Sequence, residues 1–201
     1  GCPSLASAAT TVTINPIPAT PTIGAGGPLT FCSGGSVLLT SSSATGNQWS
    51  LNGTPIGGAT NQTYSATASG DYTVITTSGG CPSLASAVTT VSVTPTPATP
   101  TIGAGGPTAF CSGGSVLLTS GSATGNQWLL DGTPIVGATN QTYSATTAGD
   151  YTVIVTASGC PSLPSSATTV TITANPVITI GTVINPSACA TATGSIQVNG
   201  T

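Results

Sequence analysis

The stretch that decides the fold is GNQWSLNGTPI, residues 46–56, followed by ATASGDYTV, residues 66–74. It places one Trp between two short strand-like runs, an Asn-Gly pair after the first run, and one Tyr at the start of a later run. Asn-Gly is favoured in the two-residue type I′ turn of a β-hairpin. Nearly the same residues return 79 positions later, at residues 125–135 and 145–153. The pattern predicts a β-sandwich with a large ring at its centre, present twice.

Self-similarity at this fixed period covers most of the chain. Residues 18–96 align with residues 97–175 without a gap, and about 61 of the 79 positions are identical. Residues 1–17 match residues 80–96, so we interpret them as the C-terminal strand of a preceding repeat. Residues 176–201 depart from the pattern and are interpreted as the start of a further, divergent β-sandwich repeat. We therefore expect a window from a longer array, arranged as beads on a string.

Each repeat offers about seven short strands with turn residues every 8–12 positions, which is typical of a β-sandwich. In the first repeat the predicted strands are residues 29–32, 36–41, 48–51, 54–56, 63–66, 72–76 and 88–93, after a proline-rich linker. No stretch has the 3.6-residue period of an amphipathic helix. The fold class is therefore predicted to be all-β, with Trp49 and Tyr72 in the first core and Trp128 and Tyr151 in the second.

The near absence of charge excludes several partners. The 201 residues contain no Lys, Arg or His, and their only acids are Asp71, Asp131 and Asp150. Without cations the chain cannot neutralise phosphates, so neither nucleic acid nor an anionic membrane surface is expected as a partner. No apolar run reaches the ~18 residues that a membrane-spanning helix needs, so membrane insertion is not expected either.

The same composition argues against an enzyme. Nucleophilic catalysis by Ser or Cys requires a neighbouring base, and the sequence contains no His or Lys to serve as one. Hydrolysis by paired carboxylates requires two acids, whereas the first repeat has only Asp71. Zinc sites use His or closely spaced Cys, and calcium sites use several carboxylates. The sequence therefore predicts no catalytic residue, no cofactor and no metal site, and Asp71 and Asp150 are interpreted as turn carboxylates.

Three motifs of each repeat resemble immunoglobulin-like (Ig-like) domains. In the first repeat they are Ser-Val-x-Leu, then Trp-x-Leu-Asn-Gly-x-x-Ile, then Ser-Gly-Asp-Tyr-Thr-Val. Trp49 stands where that family buries the Trp of its strand C, and Tyr72 where it places its tyrosine corner. The inter-sheet cysteines of the family would fall near Ser41 and Val74, and neither is Cys. The resemblance implies the family's sandwich without its usual disulfide.

The fuller pattern is Phe-Cys-Ser-Gly-Gly-Ser-Val-x-Leu-Thr near the start of a repeat and Gly-Cys-Pro-Ser near its end. It is similar to the bacterial Ig-like repeats of giant surface proteins of Bacteroidota, which are secreted by the type IX system. Residues 186–189 and 194–198 resemble the opening of the repeat of the gliding-motility adhesin of these bacteria.

These resemblances imply an extracellular protein at the cell surface. The expected function is a disulfide-reinforced stalk or fibre segment of an adhesin or filament, used in attachment or gliding. The expected partners are neighbouring repeats, identical chains in a bundle, and surface glycans bound by a tip outside this sequence. The alternative is an array of carbohydrate-binding Ig-like modules, which predicts aromatic side chains facing solvent on one side of each repeat.

The six cysteines are Cys2, Cys32, Cys81, Cys111, Cys160 and Cys189. With no base or His nearby in sequence, disulfides in an oxidising compartment are the expected role. Pairing within a repeat, Cys32–Cys81 and Cys111–Cys160, is the common arrangement. The Ig-like topology, however, puts these cysteines at opposite ends of a sandwich, and a disulfide needs Cα atoms within about 7 Å. Pairing of neighbouring repeats, Cys32–Cys160, therefore stays open. In either scheme Cys2 and Cys189 pair outside this sequence.

Overall fold

The computed structural model describes the backbone of residues 1–184 and 195–200, and side chains as far as residue 178 and at residue 181. The chain divides into two compact units, Gly1–Thr96 and Pro97–Thr201. Their boundary coincides with the predicted boundary between the two complete repeats. All regular structure in the described part is β. No helix suited to crossing a membrane occurs among the described residues.

The first unit contains nine strands arranged in two sheets. The strands are β1 (Ile23–Ala25), β2 (Thr30–Cys32), β3 (Val37–Ser41), β4 (Asn47–Leu51), β5 (Thr54–Pro55), β6 (Thr63–Ala66), β7 (Gly70–Ser78), β8 (Cys81–Pro82) and β9 (Thr89–Thr94). One sheet has the order β1-β3-β6 and is antiparallel. The other has the order β2-β9-β7-β4-β5, with β8 paired to β7. Within this second sheet, β2 and β9 run parallel.

The second complete repeat, residues 97–175 of the second unit, has the same arrangement strand for strand. Its strands are β10 (Ile102–Ala104), β11 (Ala109–Cys111), β12 (Val116–Ser120), β13 (Asn126–Leu130), β14 (Thr133–Pro134), β15 (Thr142–Ala145), β16 (Gly149–Ala157), β17 (Cys160–Pro161) and β18 (Thr168–Thr173). The sheets have the orders β10-β12-β15 and β11-β18-β16-β13-β14, with β17 paired to β16. The all-β prediction is therefore confirmed, and each complete repeat is a two-sheet sandwich.

Alternation along the strands builds the core of each unit. Successive side chains of a strand point to opposite faces, so every second residue is buried. In β3 the buried residues are Val37, Leu39 and Ser41, while Leu38 is half exposed. The core of the first unit takes Val37, Leu39 and Ala66 from one sheet and Trp49, Tyr72, Val74 and Val91 from the other. It therefore lies between the two sheets.

The hairpin between β4 and β5 has the turn that its Asn-Gly pair predicts. Asn52 and Gly53 have φ values of 51° and 77°. Type I′ turns require positive φ at both central residues, and Asn and Gly tolerate it best. Asp131 and Gly132, between β13 and β14, have φ values of 49° and 76°. The substitution of Asp for Asn in the second repeat leaves the turn unchanged.

The segments outside the two complete repeats differ from the repeats themselves. Residues 1–17, predicted to be the C-terminal strand of a preceding repeat, form no strand and are exposed. The matching strand β9 is held by pairing with β2 and β7, and residues 1–17 have no such partners here. After the second repeat, β19 (Ile178–Ile184) and β20 (Ser195–Gly200) form an antiparallel pair. The predicted motif at residues 186–189, with Cys189, lies outside the described residues.

Candidate functional sites

A cluster of three rings occupies the centre of each unit. In the first unit Trp49 has no exposed surface and Tyr72 is 1% exposed. The ring centroid of Tyr64 lies 6.0 Å from that of Trp49 and 5.8 Å from that of Tyr72. The Tyr72 hydroxyl donates a 3.0 Å hydrogen bond to the carbonyl oxygen of Ala68. A Tyr at this corner, bonded to backbone a few residues upstream, marks the Ig-like sandwich.

The second unit reproduces this cluster. Trp128 has no exposed surface, and Tyr151 is 1% exposed. Tyr143 lies between them, with ring centroids 5.9 and 5.8 Å away. The Tyr151 hydroxyl donates a 2.9 Å hydrogen bond to the carbonyl oxygen of Thr147. With two sheets, a central Trp and a tyrosine corner, both units are Ig-like β-sandwiches.

Burial affects the phenols at the two corners. Loss of water around the ring raises the pKa of Tyr72 above its ordinary value of 10.0, and the neighbouring Tyr64 raises it further. The pKa of Tyr151 is raised in the same way, by burial first and then by Tyr143. Both phenols therefore stay protonated at physiological pH and serve as donors to backbone.

Every aromatic side chain of the chain belongs to one of the two cores or packs against it. The chain has two Trp, four Tyr and two Phe, all in its described part. The two Trp and the corner Tyr are core members, and the other four, Phe31, Tyr64, Phe110 and Tyr143, pack against the cores while partly buried. An aromatic platform for stacking a sugar ring would need side chains that face solvent. These rings instead contact the interior of their own sandwich.

The three acids make hydrogen bonds within their own unit. Asp71 accepts a 2.7 Å bond from the Thr90 hydroxyl across the β7–β9 pair. Asp131 accepts a 2.8 Å bond from the backbone N–H of Asp150, as Asn52 does from Asp71 in the first unit. These contacts fix turns and strand ends. No group of three or more potential metal ligands occurs among the described residues.

A shallow cleft of about 350 Å³ lies beside the linker of the first unit. Its lining includes Pro18 and Pro21 of the linker, together with Ser43, Thr45 and Thr76. The corresponding cleft of the second unit is about 320 Å³ and has Val155 where the first has Thr76. Because this substitution removes a hydroxyl from the lining, the two clefts do not present the same hydrogen-bonding groups.

Two serines of each repeat have a role that the sequence reading missed. After the short strand β8, the Ser86 hydroxyl accepts the N–H of Val74 at 3.1 Å, and the Ser83 hydroxyl accepts the N–H of Thr76 at 3.0 Å. Both serines are buried. The second repeat has the same pair of bonds. The serine hydroxyls thus complete the hydrogen bonding of β7 where no regular strand continues beside it. The recurring Ser-x-x-Ser after Cys-Pro was the available signal.

The cysteines differ in state within each repeat. Cys32 and Cys160 are disulfide-bonded. Cys2, Cys81 and Cys111 carry free thiols. Pairing within a repeat would have bonded Cys32 to Cys81 and Cys111 to Cys160. Since Cys81 and Cys111 are free, that preferred pairing is wrong.

Strand register explains why the pairing within a repeat fails. Cys32 is in register with Thr94 of β9. Thr94 lies three residues beyond Val91, which pairs with Gly70 at the start of β7. Cys81 is paired with Ser78, the last residue of β7. Strand β7 has 9 residues, which at ~3.3 Å each separates its ends by about 26 Å. The two cysteines lie at opposite ends of the sheet, far beyond the reach of a disulfide.

No protein-family model matches the chain, and no curated protein matches it. One similar solved structure is that of mouse coronavirus receptor-binding domain complexed with its murine receptor. Its TM-score is 0.43, with 17% identity over 76% of this chain and 100% of that one. Another is the human OSCAR ligand-binding domain, with a TM-score of 0.33 and 16% identity over 77% of this chain and 99% of that one.

Proposed function

We propose that this chain is a segment of a structural stalk or fibre on a bacterial surface. Its Ig-like repeats act as disulfide-reinforced spacers that hold an adhesive tip away from the cell. The sequence resemblance to surface proteins of Bacteroidota supports a role in attachment or gliding. The neighbouring repeats of the same polypeptide are its first partners, and identical chains in a bundle are further ones.

The observation that carries this proposal is the placement of the aromatic side chains. All eight of them are buried in, or packed against, the core of their own unit. The three acids are engaged in hydrogen bonds of their own turns and strands. The residue types that usually bind ligands or carry out reactions therefore stabilise the sandwich. A repeated unit whose aromatic and acidic side chains stabilise its own fold is suited to extending a fibre.

Two properties of the chain fit an extracellular position. Disulfides persist in oxidising compartments, and Cys32 and Cys160 are disulfide-bonded. The sequence also lacks Lys and Arg, so a protease directed to those residues finds no cleavage site. An exposed fibre gains from both properties, because it meets secreted proteases and has no cytosolic reductant to reduce its disulfides.

Changing the number of repeats in the full-length surface protein tests the spacer function. One variant lacks residues 18–96 and another carries them twice, so the repeat boundary is kept in both. We expect the height of the tip above the cell, measured by electron microscopy of labelled cells, to change by about 40 Å per repeat, estimated from strand length plus linker. Binding by the tip should keep the same affinity. Unchanged height, or loss of ligand affinity in proportion to repeat number, would contradict the proposal.

The alternative function, an array of carbohydrate-binding modules, makes the opposite prediction. It requires the repeats themselves to bind polysaccharide through solvent-facing aromatic side chains. A glycan array probed with the 201-residue chain separates the two functions. Specific retention that is weakened by Tyr64→Ala but not by the exposed substitution Ser65→Ala would favour the alternative. We expect no retention, because Tyr64 packs between Trp49 and Tyr72.

A further inference from the structure

The free thiol of Cys81 lies against the segment that precedes the first complete repeat. Its Sγ is 3.7 Å from the carbonyl oxygen of Asn15. The side-chain amide of Asn15 donates a 2.7 Å hydrogen bond to the carbonyl oxygen of Gly79. An added Cβ on Gly79 would approach Asn15 to 3.0 Å. The end of the preceding segment therefore contacts the turn between β7 and β8, close to Cys81.

The repeat period shows what should stand beside Asn15 in a complete preceding repeat. Asn15 occupies the position that Thr94 holds 79 residues later. Thr94 is the register partner of Cys32 on β2, and its carbonyl oxygen accepts the N–H of Ser33 at 2.8 Å. In the second unit, Thr173 is likewise the register partner of Cys111. A complete preceding repeat would thus bring a β2 cysteine alongside Asn15, and so next to Cys81.

We propose that each repeat is cross-linked to the next by a disulfide. It joins the cysteine at the end of the β2 strand of one repeat to the cysteine that opens the β8 strand of the following repeat. Cys81 is then the attachment site for the preceding repeat, and Cys111 for the following one. The inference goes beyond the spacer function and rests on it only in requiring flanking repeats.

The bonding state of the cysteines supports the proposed links between repeats independently of the contacts of Asn15. Each type of cysteine is bonded in one repeat: Cys32 at the end of β2, and Cys160 at the start of β17. The equivalent cysteines Cys111 and Cys81 are free, and under the proposal their partners belong to repeats beyond this sequence. The same position therefore forms a disulfide in one repeat and carries a free thiol in the other.

Formation of each link is a two-electron oxidation. Two thiols lose two protons and two electrons, and one S–S bond forms. The electrons pass to a disulfide oxidant of the compartment, which is reduced to a dithiol. Exchange proceeds through a mixed disulfide that the second thiol resolves.

An extended chain tests the proposal. A copy of residues 18–79 placed directly before Gly1 rebuilds a complete preceding repeat, because residues 1–17 match residues 80–96. The oxidised chain is alkylated in denaturant without reductant and cleaved after aromatic residues, since it has no Lys or Arg. We expect alkylation of Cys81 to fall from nearly complete in the 201-residue chain to a trace in the extended chain. Full alkylation of Cys81 in the extended chain would overturn the proposal.

Two serine variants of the extended chain identify the partners. Replacing the β2 cysteine of the added copy with Ser should restore alkylation of Cys81 and leave Cys160 bonded. Cys32→Ser should expose Cys160 to alkylation and leave Cys81 bonded. If Cys32→Ser instead freed Cys81, the pairing would lie within a repeat and the proposal would be wrong. Either result leaves the spacer function to its own test, because tip height is measured without reference to disulfides.

Discussion

The indole Nε1 of Trp49 donates a 3.0 Å hydrogen bond to the backbone carbonyl oxygen of Asn61, twelve residues further along the chain. Trp128 makes the same bond to Asn140. A buried Trp needs a partner for its N–H, and a backbone carbonyl at the edge of the core supplies it. The ring therefore fills the space between the sheets and also fixes the loop that leads from β5 to β6.

Removing this ring should unfold one unit selectively. Trp49→Ala leaves a cavity in a core with no exposed surface at that position, so we expect a loss of about 3–5 kcal/mol from the free energy of unfolding of the first unit. Differential scanning calorimetry should then show an earlier transition for that unit. Trp128→Ala is the matched control and should shift the other transition. A profile left unchanged by Trp49→Ala would contradict this role of the ring.

Gly46 should tolerate a side chain less well than Gly53. The two glycines have φ values of 73° and 77°, so Ala at either position bears a left-handed backbone penalty of about 1–2 kcal/mol. An added Cβ on Gly46 would also collide with the backbone carbonyl oxygen of Thr77, whereas Gly53 has open space. Gly46→Ala should therefore lower the urea midpoint by clearly more than Gly53→Ala. Equal midpoints for the two variants would show that the collision is relieved without cost.

Removal of the Ser86 hydroxyl should destabilise the first unit. Ser86→Ala leaves the N–H of Val74 without its acceptor inside the sandwich, which costs about 1–3 kcal/mol. Ser92→Ala, at an exposed position on β9, serves as the control and should be nearly neutral. Hydrogen exchange of the Val74 amide provides a local measurement and should accelerate in Ser86→Ala. A slow amide at Val74 in that variant would argue against the serine as acceptor.

Stability should fall in alkaline solution because of the two corner phenols. The pKa of Tyr72 and that of Tyr151 are raised above 10.0 in the folded chain. As pH rises past 10, the unfolded chain loses its phenolic protons first, so it binds fewer protons than the folded chain and unfolding is favoured. The contribution is complete below pH 10 and is lost as pH rises through the folded pKa.

Thermal melts at increasing pH, with free thiols alkylated beforehand, measure this effect. The Tm of the unsubstituted chain should decline above pH 10. The double variant Tyr72→Phe, Tyr151→Phe should start lower, since each lost hydroxyl bond is worth about 0.5–1.5 kcal/mol. It should also decline less over the same range. Parallel curves for the two proteins would mean that these phenols do not account for the alkaline loss.

Much of the fold was predictable because it depends on local properties. The type I′ hairpin follows from the positive φ that Asn52 and Gly53 tolerate. The strand predicted at residues 63–66 matches β6, and the strand predicted at residues 72–76 falls inside the longer β7. The first two residues of β7 were missed because Gly70 and Asp71 are of types with low strand preference. The residues of β7 outside the predicted range are strand residues because β9 pairs with Gly70 and Asp71 and β8 pairs with Thr77 and Ser78.

The amino-acid sequence by itself determined the repeat, the all-β class and the two rings at the centre of each sandwich. Those features follow from the repeat period, the turn residues and the size of the Trp and Tyr side chains. Only the tertiary structure decided that Cys32 and Cys81 do not pair with each other and that Ser83 and Ser86 complete the hydrogen bonding of β7. Both depend on strand register, which brings together residues far apart in the chain and has no local signature in sequence.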